Sequence, residues 1–238
     1  MIAFSTKAQS FWNETFEFPK IFENSDVLVR IKEDIGSRHP IIKLHRSDGR
    51  VFIIMTSEFS KKLLVTTNST LFDIETALYQ NGMKWYSEDA LYYLADEKEK
   101  ILMNDSDAED VRQLSESDIS LFQNFESRNT EDDLEGVEVE LDNEAVFGQI
   151  ENESLNCVAD YYRWSNKNVA DIGVLTAPDS RGKSIATNVV KALSRHALKN
   201  GLLPQYRCQL DNFGSIKVAE KAGFKYYGLW TVGVPLEN

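Results

Sequence analysis

The chain has 238 residues, of which 42% are hydrophobic and 11% aromatic, so it can bury a proper core and is neither disordered nor low-complexity. Its formal net charge of −12 disfavours a general nucleic-acid binder and a protein docked on anionic lipid, because both depend on clustered Lys and Arg. Two cysteines, Cys157 and Cys208, make neither a disulfide framework nor a paired zinc site. No apolar run approaches the ~20 residues of a membrane span, and Met1 to Lys7 lacks the basic and apolar regions of a secretory signal. The expectation is a reduced, cytoplasmic protein without a metal, a nucleic-acid partner or a membrane partner.

Charge is unevenly spread. Residues 1–95 carry 11 basic and 12 acidic side chains, residues 96–160 carry 4 and 21, and residues 161–238 carry 11 and 5, giving nets of −1, −17 and +6. The chain exceeds the ~100–200 residues of one domain. It reads as an N-terminal α/β domain over residues 1–95, an acidic linker over 96–110 and a second domain over 111–238.

In the first segment, Val27–Ile31 and Val51–Thr56 are short, β-branched and bounded by turn residues, as buried strands are, with Asp48-Gly49 as a tight corner between them. Leu71, Ile74, Leu78 and Tyr79 fall at helical spacing, and Gly82 lies where a helix-ending glycine falls. Asp89–Leu94 follows as a strand. Residues 1–95 hold no metal, nucleotide or nucleophile signature, so a scaffolding or substrate-shaping role is expected. Asp96–Asp110 is too polar to offset its ordering entropy by burial and reads as a linker. Val111–Leu114 is a strand, and Ser115 with Asp118 caps a helix striped by Ile119, Phe122 and Phe125. Val137, Val139 and Leu141 alternate within the acidic stretch Glu131–Asp142, predicting a strand or exposed hairpin. Ala145–Glu151 and Leu155–Trp164 are two further strands.

The stretch from Asp171 to Leu193 carries the chemistry. A strand ends near Pro178, a short turn contains Gly182, and a helix follows with Ile185, Val189 and Leu193 on one face. Strand, small-residue turn and helix N-terminus make an anion site: free amides converge there, and the helix dipole favours negative charge. Gly182 allows close approach of the backbone, while Arg181 and Lys183 add charge. The turn has neither the two glycines and Lys-Ser/Thr pair of a Walker A loop nor the three spaced glycines of a dinucleotide fold. On spacing alone, phosphate binding and a structural strand-to-helix turn both stay open.

Three stretches in order then resemble the GNAT family of acetyl-CoA-dependent N-acetyltransferases. Arg112-Gln113-Leu114 with Asp118 is similar to its opening strand and helix. Thr176-Ala177-Pro178-Asp179-Ser180-Arg181-Gly182-Lys183-Ser184-Ile185-Ala186 is similar to its pyrophosphate motif. Asn212-Phe213-Gly214-Ser215 with Ala219-Glu220-Lys221-Ala222-Gly223-Phe224 is similar to its Asn-x-x-Ser helix and closing Gly-Phe. The resemblance implies an α/β (α+β) fold in which helices flank a central mixed, mostly antiparallel sheet, preceded by the smaller mixed domain; whether that domain is a degenerate copy of the same fold stays open. It implies acetyl-CoA as cosubstrate. Val174, Leu175 and Thr176 would run beside the pantetheine arm, with an amide near Thr176 as oxyanion donor. Arg181, Gly182, Lys183, Ser184, Ile185, Ala186 and Thr187 would hold the pyrophosphate, and Asn212 and Ser215 would contact the cofactor from the other strand.

The chain departs from the family pattern at three places. Asp179 stands where Gln or Arg is usual and is expected to face solvent, and Ser184 stands where Gly or Ala is usual. Ala219 replaces the tyrosine that protonates the leaving thiolate in many relatives, leaving Tyr161, Tyr206, Tyr226 or water for that task. An attacking amine must first lose a proton, and Asp171 is the leading carboxylate, with Glu151 and Asp160 behind it. His196, Trp164 and Trp230 are read as packing groups and Cys208 as a buried hydrophobe, its use as an acyl acceptor staying open. The resulting expectation is an N-acetyltransferase moving acetyl to a primary amine in a ternary complex. The acceptor is a small-molecule or peptide amine, with cationic ones favoured by the acidic segments. A catalytically degenerate CoA-binding regulatory or scaffold protein is the alternative.

Overall fold

The computed structural model describes residues 4–35, 39–137, 139–164 and 168–236. They form two compact units. The smaller comprises residues 7–91, 208–211 and 226–238, and the larger residues 1–6, 92–207 and 212–225.

Most of the smaller unit precedes residue 92. Helix α1 (Thr6–Thr15) is followed by strands β1 (Lys20–Glu23), β2 (Val27–Ile31), β3 (Ile41–Arg46) and β4 (Val51–Met55). Gly49, with φ 87°, turns the β3–β4 hairpin as the Asp48-Gly49 pair predicts. Helix α2 (Ser57–Lys62) is capped by Thr56, and α3 (Leu71–Gln80) by a Thr70–Asp73 capping box. Strand β5 (Met83–Leu94) begins six residues before the expected strand. Val29, Ile41, Ile53, Met55, Ile74 and Leu78 are the buried centre of this unit.

Helix α4 (Asp96–Asn104), in the larger unit, lies within the stretch expected to be a linker. Its acidic residues cluster in the first turn, where the helix dipole favours them, and Leu102 is buried. Composition hides this because a single side chain of the helix, Leu102, is buried. Strand β6 (Val111–Gln113) leads through a short 3-10 turn to α5 (Ile119–Ser127), with the Ser115–Asp118 capping box as expected. The Arg112 guanidinium holds the Asp118 carboxyl down to about 2. After α6 (Glu131–Glu135), Val137, Val139 and Leu141 form no strand but an irregular segment packed on the core of this unit; Glu138 lies outside the described residues. Their alternation reports partial burial, and no neighbouring strand pairs with them.

Strands β7 (Ala145–Glu151), β8 (Ser154–Arg163) and β9 (Val169–Thr176) pair antiparallel, and β6 pairs antiparallel with β7. Helix α7 (Ile185–Lys199) then leads to β10 (Leu203–Gln209), which pairs parallel with β9. Helix α8 (Phe213–Ala222) ends at Gly223, whose φ of 103° is the left-handed helix end expected there, and β11 (Phe224–Pro235) follows. The larger unit is thus the mixed, mostly antiparallel sheet flanked by helices that the sequence predicts. Residues 226–235 of β11 instead belong to the smaller unit, with Gly228–Val232 paired on β3. Strand pairing, not chain order, assigns them, so the units cut the chain differently from the 1–95 and 111–238 segments. Among the described residues no helix is long and apolar enough to cross a membrane.

Arg195 of α7 fastens the segment after α4. Buried itself, it donates to the Leu102 carbonyl at 2.8 Å and the Ser106 carbonyl at 3.3 Å, and it pairs with Asp107. Replacing it by Ala removes these bonds and leaves the Leu102 carbonyl with only the Asp105 amide, at 3.2 Å. Arg195→Ala is expected to cost about 3 kcal/mol and to speed proteolysis within residues 102–108, read by denaturant unfolding and limited digestion.

Candidate functional site

The site is built where two parallel strands stop pairing. β9 and β10 are in register from Val169–Leu203 to Ile172–Tyr206, and no pair follows. On its other edge β9 stays bonded to β8 through Thr176, opposite Cys157. The Ala177 amide donates to the Asn156 carbonyl at 2.9 Å. By the alternation of an antiparallel ladder, the N–H and C=O groups of Thr176 and Val174 therefore point away from β8, to the free edge, while those of Leu175 point into the ladder. A cavity of about 610 Å³ opens there, lined by Val174, Leu175 and Thr176 on one wall and Tyr206, Asn212 and Ser215 on another.

At the end of β9 the chain makes a 3-10 turn at Pro178–Ser180 and enters α7 through two left-handed residues, Gly182 at φ 80° and Ser184 at φ 63°. A Cβ added at Gly182 would meet nothing within 4 Å, so the backbone there is open to a ligand. Ser184 caps α7 without any side-chain bond to the helix amides. The first-turn amides of a helix have no intrahelical acceptor, and here they face the cavity through Ile185, Ala186 and Thr187. Arg181, Lys217 and Lys221 also line it, and Lys221 donates to Ser184 Oγ at 3.1 Å. A bare helix N-terminus, three cations and a strand edge with unused donors and acceptors suit a ligand carrying phosphates at one end and amides along its length.

Of the twelve predicted cofactor residues, the structure brings together Val174, Leu175, Thr176, Arg181, Gly182, Ser184, Ile185, Ala186, Thr187, Asn212 and Ser215. Lys183 is exposed and does not line the cavity. Asn212 acts first as the cap of α8, its side chain accepting from the Ser215 amide at 3.0 Å. Asp179 is exposed as expected, and Arg128 donates to it at 2.8 Å and holds its carboxyl below the usual range.

The expected base lies elsewhere. Asp171 is buried on the paired part of β9 and does not line the cavity. Its carboxylate accepts from the Tyr162 hydroxyl at 2.7 Å, Gln205 Nε2 at 2.9 Å and Arg207 Nε at 3.0 Å. These three bonds join β8, β9 and β10, and a sequence that places the donors 9 to 36 residues away does not show them. Tyr161 packs beside His196, and burial pushes its hydroxyl up to about 12. Tyr226 belongs to the smaller unit. Tyr206 alone of the three lines the cavity, and its hydroxyl and Ser215 Oγ share a hydrogen bond of 2.7 Å. Cys157 accepts from the Thr176 hydroxyl at 3.3 Å and is pushed up to about 12 by burial; Cys208 is buried.

Asp160, on β8 beside β9, is a carboxylate of raised basicity. It opposes Gly173, whose missing Cβ leaves room for Asp160 Oδ1 and the Val137 carbonyl, 3.0 and 3.1 Å from where that Cβ would stand. Burial raises it to about 6, against the Glu140 amide and the Asn143 side chain, which both donate to it. Asp133, Val137, Lys217 and Lys221 were not read from the sequence as cavity residues. The i, i+4 lysines on α8 were a legible signal; Asp133 and Val137 arrive from a segment about 40 residues upstream and carried none.

Comparison with known proteins follows this geometry. A family model described as GNAT acetyltransferase matches residues 45–232. Comparison with curated proteins gave no match. Among solved structures, an acetyltransferase of the GNAT family from Colwellia psychrerythraea is 17% identical with a TM-score of 0.50, over 67% of this chain and 60% of that one. A GNAT-family protein from Novosphingobium aromaticivorans is 17% identical with a TM-score of 0.49, over 66% and 69%. A Salmonella typhimurium protein described with acetyl-CoA as its cofactor is 15% identical with a TM-score of 0.41, over 54% and 94%. At such identities the likeness is one of fold, and the chain spans three fifths of the length of the Colwellia protein.

Because the Asp160 carboxyl is raised from 3.8 to about 6, the native state holds its proton where the unfolded chain releases it. Its contribution to stability is therefore full below about pH 4 and is lost as pH rises through 6. Asp160→Asn is expected to remove that fall, so the variant gains on the wild type by on the order of 1–3 kcal/mol between pH 4 and 7. Paired denaturation curves across that range measure the difference.

Proposed function

Since the chain belongs to the GNAT acetyltransferase family, its model matching residues 45–232, we propose that the protein moves an acetyl group from acetyl-CoA to a primary amine by direct attack in the cleft between β9 and β10. The observation that carries this reading is the meeting of an unpaired β9 edge, the uncapped start of α7 and three cations in one cavity. Acetyl-CoA would supply an acetyl group activated as a thioester.

The residues divide the work by chemistry. The amides of Gly182 to Thr187, with Lys217 and Lys221, would hold the pyrophosphate. Val174 would offer its edge groups to the pantetheine amides, and the Thr176 N–H would donate to the thioester carbonyl oxygen as charge grows on it. Tyr206, held by Ser215 at 2.7 Å, would protonate the departing thiolate in place of the tyrosine that Ala219 replaces. Asp160, like Asp171, is buried and does not line the cavity, but its raised basicity would suit it to take the amine's proton through water. The acceptor would be a small or peptide amine, with a cationic one favoured by the acidic residues 131–144. A second reading, cofactor binding without turnover, is favoured by Ala219.

Gly182→Val is expected to abolish CoA binding, because a β-branched residue resists φ 80° and its side chain enters the space open to the ligand. Unchanged affinity by calorimetry would remove the turn from the site. Tyr206→Phe is expected to lower kcat by about 10²-fold with KM for acetyl-CoA nearly constant, measured as thiol release over an amine panel. Wild-type binding of CoA with no release on any amine would favour the second reading.

A further inference from the structure

Arg181 does not extend into solvent from its turn. Its Nε donates to the Thr176 carbonyl at 3.1 Å, and its Nη2 pairs with the Asp133 carboxylate at 2.9 Å. Both partners line the cavity, Thr176 at the end of β9 and Asp133 on α6, so one guanidinium bridges two walls. The Arg181 side chain is 48% exposed, and packing does not lock it. Its partners are set without it. The Thr130 hydroxyl donates to Asp133 Oδ2 at 2.8 Å, while the Asp133 amide donates to Thr130 Oγ1 at 3.2 Å. Thr130 first, and Arg181 after it, hold the Asp133 carboxyl below the usual range. The Thr176 carbonyl is directed to the free edge by the β8–β9 ladder. A fixed carboxylate and a fixed carbonyl thus face the cavity as a receptor for one cation, and the chain's own guanidinium displays the chemistry they take.

Resting on the reading of this cleft as a CoA site, we propose that Asp133 and the Thr176 carbonyl form a subsite for a second cationic group, alkylammonium or alkylguanidinium, of an acceptor that also carries the reacting amine. Arg181 covers this subsite as an internal stand-in and is drawn off it by a cofactor phosphate. The residue immediately before Gly182 is within the pyrophosphate turn, and a cofactor phosphate there offers the Arg181 guanidinium a more highly charged partner than Asp133. Cofactor phosphate competes with Asp133 for Arg181, and the acceptor cation competes with Arg181 for Asp133. The two ligands are thereby coupled through one side chain, each favouring the other.

Calorimetric titration of the full chain with CoA, and separately with agmatine, a guanidine bearing a primary amine, tests this. Asp133→Asn keeps an oxygen for Thr130 but loses its hold on Arg181, and it is expected to bind CoA about three- to fivefold tighter than the wild type. Arg181→Ala is expected to bind agmatine at least about tenfold tighter than the Arg181→Ala/Asp133→Asn double variant. Should Arg181→Ala fold poorly, Arg181→Gln removes the same charge with less loss of volume. CoA affinity unchanged or weakened in Asp133→Asn, or equal agmatine binding by the single and double variants, overturns the proposal. A wild type that binds no CoA strikes the reading of the cleft instead, and the agmatine comparison still decides the subsite.

Discussion

The site depends on one place where hydrogen bonding stops. Two parallel strands that pair from Val169 to Ile172 part after Tyr206, and the remaining four residues of β9 keep a ladder on one side only. A strand edge left open inside a protein is ordinarily a liability, because unpaired N–H and C=O groups seek a partner. Here the ladder with β8 sets which groups are left: those of Val174 and Thr176 and not those of Leu175. On the proposed function, the edge is a template for an extended ligand with amides of its own, and the turn at its end is the matching anion site.

Around that edge, charge is sorted by wall. Arg181, Lys217 and Lys221 stand by the start of α7, where the helix dipole adds to them. The segment after α5 brings Asp133 and, through its contact with Asp160, the Glu140 and Asn143 groups. The opposing walls are tied by Arg181, a residue of the cationic turn that pairs with the acidic wall.

The buried polar groups show how an acidic residue can be conspicuous in sequence and structural in fact. Asp171, at the head of the motif strand, joins three strands through Tyr162, Gln205 and Arg207. Arg195, unremarkable on its helix, fastens residues 102–107 to α7 and turns an apparent linker into part of the larger unit. In both cases the partners lie far away along the chain.

Local chemistry was legible from the sequence alone. Periodicity and capping residues located α3, α5, α7 and most strands, and glycine marked the turns at Gly49 and Gly182, because those signals act between residues a few positions apart. The strand, turn and helix order from Asp171 to Leu193 also announced an anion site, and eleven of its twelve assigned residues line one cavity. Tertiary structure alone decided the rest. It put Tyr206 on the cavity lining and Asp171 off it, brought Asp133 to the cleft, and gave residues 226–235 to the unit of β3. Those outcomes depend on which groups desolvate together and which strands share a ladder, and both are settled by contacts between residues tens to nearly two hundred positions apart.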